Sequence, residues 1–201
     1  MQQAPYELMQ KGLGAIPLIN HFINEIGLHD LLKESCKHQR YSDAILLLVK
    51  NVMIERHALY AIQEWSSWYD PSLVYGGSIT DDTVSRALDR LFDIDRASLL
   101  ARIILSIAKT YGLDLSEIHQ DTTSVKMCGA YVNQRPKAIQ LKRGHSKDHR
   151  PDLKQLVYAL SVTRDGAIPI HFKAYDGNRT DDTLHWDTWL TLRGIVGRSD
   201  F

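Results

Sequence analysis

The stretch Leu156–Tyr175, LVYALSVTRDGAIPIHFKAY, decides how the second half of this chain reads. Two apolar runs, Leu156 to Thr163 and Ala167 to Tyr175, flank Arg164-Asp165-Gly166. Asp-Gly between apolar runs is a strong hairpin signal, because the favoured tight turns need positive φ at their central residues. Downstream, Asp176-Gly177-Asn178 forms another turn. Thr180 or Asp181 can then cap a helix running through Trp186, Trp189, Leu190 and Leu192. Upstream lies a long polar segment, Lys126 to Lys154. Before it comes Leu115 to Val125, LSEIHQDTTSV, whose β-branched residues and alternation predict a strand with His119, Asp121 and Thr123 on one face. The order is strand, long loop, strand, strand, helix.

The chain N-terminal to this strand reads as helices. Ile19, Phe22, Ile23 and Ile26 mark one helical face, and Ala44 to Met53 is apolar nearly all round, as in a helix buried within a bundle. Val84, Ala87, Leu88, Leu91 and Phe92 form a stripe behind the capping candidates Thr80 and Asp81. Leu100, Ile103, Ile104, Ile107, Ala108 and Tyr111 form another, closed by Gly112 as a C-cap. The expected class is therefore α+β: an all-helical domain over 1–112, then a domain over 113–201 with three antiparallel strands and one helix. Three strands under one helix leave a face and an edge uncovered, so this second domain is expected to be incomplete.

The 201 residues are 44% hydrophobic and 24% charged, ordinary for a globular protein, with a formal net charge of zero. The charge is unevenly spread. Between Lys126 and Lys154, eight basic residues face two acidic ones, a net +6 that leaves −6 for the remainder. Clustered Lys and Arg neutralise phosphates, so Lys142, Arg143, Lys147 and Arg150 are candidate DNA contacts; a solvated loop is the plainer alternative. The longest unbroken apolar run, Ala44 to Val49, is far short of the roughly 20 residues that span a bilayer. The start carries no secretory pattern, and Cys36 and Cys128 lie far apart. These features lead to an expectation of a cytoplasmic protein without disulfides or membrane partner.

Asp121 is the candidate for metal chemistry. Aspartate is disfavoured in strands, and a divalent cation, which prefers hard oxygen ligands, would compensate. Without one it would be a solvated strand aspartate, or one bonded to Thr122 or Thr123. Trp65 and Trp68, and Trp186 and Trp189, are expected in the core. His119, His171 and His185 have no metal-ligand spacing, and Ser124 and Cys128 no recognisable base partner.

Four strings resemble the insertion-sequence-four type of bacterial transposases, in a branch with a helical N-terminal domain. They are Ile118-His-Gln-Asp121-Thr-Thr-Ser124; Gly144 through Gln155; Asp165-Gly-Ala-Ile-Pro169 leading into Asp176-Gly-Asn-Arg-Thr-Asp181; and Thr80 through Leu91. The resemblance implies an RNase H-like core in which Asp121, on a central strand, is the first of three metal-binding carboxylates. It further implies a fourth strand with a second Asp, a later helix with a Glu, and two Mg2+ or Mn2+ ions that promote strand cleavage and transfer at terminal inverted repeats. The acidic residues after Asp121 do not match the two later ligands, so the chain is expected to be a fragment, inactive by itself and located with the bacterial nucleoid. The alternatives are a non-catalytic DNA-binding or dimerisation module, with a homodimer as partner, and a helical interaction protein.

Overall fold

The computed structural model describes residues 10–74, 79–132, 138–144 and 150–197. Among them are seven α-helices, one short 3-10 turn and a three-stranded antiparallel sheet, so the fold is mixed α+β. The chain divides within one helix into two compact units, Met1–Ser106 and Ile107–Phe201.

The first unit is helical: α1 (Ile16–Glu25), α2 (Leu28–Cys36), α3 (Gln39–Ile54), the turn Leu59–Ala61, α4 (Ile62–Ser67), α5 (Asp81–Asp93) and most of α6 (Arg96–Tyr111). Gly27, at φ 65°, makes the reversal between α1 and α2, where a side chain would be strained. Thr80 caps α5 by accepting from the Thr83 amide at 3.3 Å. Gly112, at φ 61°, turns the chain out of α6 while the Leu113 amide donates to Ala108 O at 3.1 Å, which satisfies an end carbonyl.

The core of this unit gathers Ile16, Ile19 and Ile23 from α1, Leu46 and Leu47 from α3, Ile62 and Trp65 from α4, and Val84 and Ala87 from α5. The true α1 stripe is thus i, i+3, i+7 from Ile16, and Phe22 points outward. α3 corrects the expectation of a helix buried on all sides. Its far end exposes Val52 and Met53, while Lys50 and Asn51 occupy the interior there. Trp65 is buried and Trp68 half exposed, so three-residue spacing on a short helix put only one indole in the core.

The second unit contains β1 (Ile118–Met127), β2 (Lys154–Thr163), β3 (Pro169–Asp176) and α7 (Asp181–Val196), in the sheet order β1-β2-β3. Burial along β2 alternates strictly: Gln155, Val157, Ala159, Ser161 and Thr163 are buried and their neighbours are partly open. The β2–β3 connection is looser than a two-residue turn. Gly166 and Ala167 take positive φ, the Thr163 amide donates to Ile168 O at 3.0 Å, and a register shift follows at Ser161/Val162. On α7 the buried stripe is Leu184, Thr188 and Leu192, not the tryptophans. A stripe at i, i+4, i+8 carries Leu184 and Leu192 inward and leaves Trp186 exposed on the opposite side. No helix among the described residues is long and apolar enough to cross a membrane.

Candidate functional site

Asp121 sits in the fourth position of β1, opposite Leu160 of β2, which is in turn opposite Phe172 of β3. Alternation puts Ile118, Gln120 and Thr122 toward the interior, and His119, Asp121 and Thr123 on the exposed face. The carboxylate is therefore displayed, with Oδ1 accepting from the Thr122 amide at 2.7 Å. One expectation needs correction: within this sheet β1 is an edge strand and β2 the central one. An edge position lets an aspartate stay hydrated, which removes much of the cost of placing it in a sheet.

A divalent cation fits Asp121 only in part. One carboxylate supplies one hard oxygen ligand, and no group of three His, Cys, Asp or Glu residues that could hold a metal occurs among the described residues. Glu117 precedes Asp121 by four residues, about 13 Å along a strand at roughly 3.3 Å per residue. Its carboxylate is engaged with Arg164 and lies 3.5 Å from His119 Nε2. The described residues do not build a metal centre.

The basic segment is partly built into the fold. Lys142 exchanges two backbone hydrogen bonds with Gln155 at 3.2 and 3.0 Å, adding a bridge beside the start of β2. Two residues earlier, the Gln140 amide donates to Asp176 Oδ1 at 2.9 Å and Gln140 O accepts from the Gly177 amide at 3.1 Å. The buried Gln155 side chain donates to Gly177 O at 2.9 Å. Glycine is required at this crossing. A Cβ on Gly177 would lie 1.9 Å from Gln155 O, and one on Gly144 would lie 2.1 Å from Gly177 O.

This frame fixes the backbone from which Lys142 reaches out. Lys142 Nζ donates to Asp176 Oδ2 at 2.8 Å, and that bond, aided by the Gln140 amide, holds the Asp176 carboxyl below the usual carboxylate range. The pair edges an open cleft of about 370 Å³ whose other walls are Asn178, Arg179 and Thr180. Sequence reasoning missed Asn178 and Arg179 as neighbours of Lys142. The signal was present in Asp176-Gly-Asn-Arg-Thr, but a turn motif alone does not show which loop will lie across it.

Arg143 is exposed and forms no ion pair with a described residue. Arg150 is engaged: its guanidinium grips Asp152 with two bonds of 2.8 Å. The Arg150 hydrogen bonds push the Asp152 carboxyl down to about 2, and the same bonds raise the Arg150 guanidinium. An exposed pair of this kind contributes little to stability, so a phosphate can compete for the guanidinium. Lys147, the remaining candidate DNA contact, lies outside the described residues, as do His145 and His149.

A third feature escaped the sequence reading. Gln120, Ser161 and His171 stand in one row across the three strands. Ser161 and His171 are buried, and Gln120 Nε2, Ser161 Oγ and His171 Nδ1 are all sequestered without a hydrogen-bond partner among the described residues. Burial, with Lys173 nearby, depresses the His171 imidazole pKa. Comparison with models of known protein families, with curated proteins and with solved structures found no match to this chain.

Proposed function

We propose that this chain is part of a DDE-type transposase, supplying the first carboxylate of an RNase H-like catalytic region and a basic surface that meets DNA. The observation that carries the reading is an aspartate on the exposed face of the first strand of an antiparallel sheet, in the order strand, strand, strand, helix. That is the order implied by the resemblance of the Asp121, Gly144–Gln155 and Asp165–Asp181 strings. In this reading Asp121 is the catalytic and metal-binding residue, and Lys142, Arg143, Lys147 and Arg150 are the DNA contacts. Mg2+ or Mn2+ would supply Lewis-acid chemistry at phosphorus once further carboxylates complete its coordination. Asp121 contributes an oriented oxygen ligand, and the basic residues neutralise the DNA backbone.

The chain by itself is expected to bind duplex DNA without cutting it. A gel-shift assay on terminal-repeat and unrelated duplexes, run beside incubation with Mg2+ or Mn2+, tests both halves. Retention of DNA that weakens in the Lys142→Ala/Arg143→Ala/Arg150→Ala variant supports the reading. Equal binding by that variant would make the segment a solvated surface, and Asp121-dependent cleavage would show that the metal site is already complete. The second reading, a non-catalytic module, is favoured by one observation: the described residues bring no carboxylate pair to Asp121.

A further inference from the structure

We propose that the cleft edged by Lys142 and Asp176 is a phosphate subsite for a DNA backbone, in which Arg179 and Asn178 hold the phosphate and Asp176 is a resident anion that the phosphate displaces from Lys142. The proposal deepens the DNA reading and rests on it, adding two contacts and one regulating group to that surface. The cleft is walled by Lys142, Asp176, Asn178, Arg179 and Thr180. Its lining thus carries two positive charges against one negative. The surplus of one matches the charge of a single phosphodiester.

The fold brings the two cations together from distant parts of the chain. Lys142 stands on the 138–144 segment, whose backbone is bonded to Gln155 and Gly177. Arg179 stands on the turn after β3, where its own amide donates to Asp176 O at 3.1 Å. Both positive groups act on the Asp176 carboxyl, Lys142 Nζ through a 2.8 Å hydrogen bond and Arg179 through charge, and both hold it below the usual range. A carboxylate flanked by two cations marks a place where an anion is stable. Arg179 and Asn178 are exposed, so both can turn toward a ligand in the cleft. A guanidinium binds phosphate oxygens in pairs, and an asparagine amide donates to them.

Two features favour a backbone phosphate over a small free anion. The cleft is open to solvent, whereas sites for small ligands enclose most of the ligand's surface. An open cleft suits a polymer that passes across it. The Lys142 and Asp176 side chains are also 44% and 33% exposed, so their pairing contributes little, and a phosphate held by Arg179 can take Lys142 from it. Asp176 then opposes the phosphate as a like charge. It lowers affinity for every anion and so leaves binding to ligands that also engage the rest of the basic surface.

The test is fluorescence anisotropy of the full chain on a labelled duplex over a salt series, with circular dichroism confirming that each variant keeps its helix and sheet content. Arg179→Ala should make the salt slope shallower by about 0.9, the loss of one phosphate contact. Asp176→Asn, whose amide oxygen can still accept from the Gln140 backbone, should tighten binding by about fivefold, the scale of one exposed charge pair. Inorganic phosphate, followed by the side-chain NMR signals of Asn178 and Arg179, should bind only at millimolar concentration. An unchanged slope for Arg179→Ala, beside a wild-type slope that Lys142→Ala/Arg143→Ala/Arg150→Ala makes shallower, would overturn the subsite and leave the DNA reading standing. A wild type that does not bind DNA at all would overturn both. Weaker binding by Asp176→Asn would overturn its role as the displaced anion. Inorganic phosphate bound at micromolar concentration would make the cleft a site for a free anion instead, and so overturn the proposal.

Discussion

Lys50 has no exposed surface, and its ammonium donates to Leu73 O at 2.8 Å. Desolvation pulls its pKa from 10.5 down to about 7, with Asp43 opposing the shift. The sign follows from proton counting. Between pH 7 and 10.5 the unfolded chain holds more protons at this lysine than the folded one, so stability rises with pH across that window. Lys50→Met should flatten that rise and stabilise the helical unit at pH 7 by about 2 kcal/mol, because a buried charge is replaced by an apolar chain of similar length. Leu73 O keeps a donor in this variant, since Asn20 Nδ2 also reaches it at 2.8 Å. Thermal melting at pH 7 and pH 10 checks the prediction; a lower Tm for the variant at both would contradict it.

His171 titrates in the opposite part of the scale. Its folded-state pKa lies below 6.5, so stability is full above pH 6.5 and falls as acid forces a charge onto a buried ring beside Lys173. His171→Leu should remove that component of the acid-side loss, read as a flatter Tm between pH 6.5 and 5. An unchanged acid slope would place the sensitivity elsewhere.

At the scale of elements, the glycines separate two kinds of constraint. Gly177→Ala drives a Cβ into the Gln155 and Lys142 carbonyls, at 1.9 and 2.4 Å, and backbone there cannot yield cheaply. It should cost about 3 kcal/mol and release the 138–144 segment from β2. Gly27→Ala meets open space and is strained only by its φ of 65°, so its cost should be nearer 1 kcal/mol. Urea unfolding of both variants tests the ranking; equal losses would contradict the crossing described for Gly177.

The same scale shows what the sequence could and could not tell. Local signals located the elements: Thr80 as a cap, Gly112 as a helix end, and the alternation that sends Asp121 outward all depend on neighbours within a few residues. The misreadings arose where partners are distant. The Ala44–Met53 run looked buried on every side because periodicity cannot say that Val52 and Met53 lie past the edge of the core. The α7 stripe was assigned to the largest apolar residues, whereas packing selected Leu184, Thr188 and Leu192. The crossing of residues 138–144 over Asp176-Gly177 joins positions more than 30 apart, and no local pattern encodes it.

At the scale of the whole chain, the DNA reading rests on a charge distribution that the fold sharpens. Lys142 is held on a fixed backbone, Arg150 is pre-oriented by Asp152, and Arg143 and Arg179 are exposed. Phosphate neutralisation releases counterions, so the logarithm of affinity should fall linearly with the logarithm of salt, by roughly 0.9 per phosphate contacted. The decisive measurement is therefore fluorescence anisotropy on a labelled duplex over a salt series, comparing the wild type with the Lys142→Ala/Arg143→Ala/Arg150→Ala variant. A steep wild-type slope that becomes shallower by about 2 to 3 in the variant is the expected result. A flat slope, or identical slopes for the two proteins, would contradict a DNA-binding role for this surface.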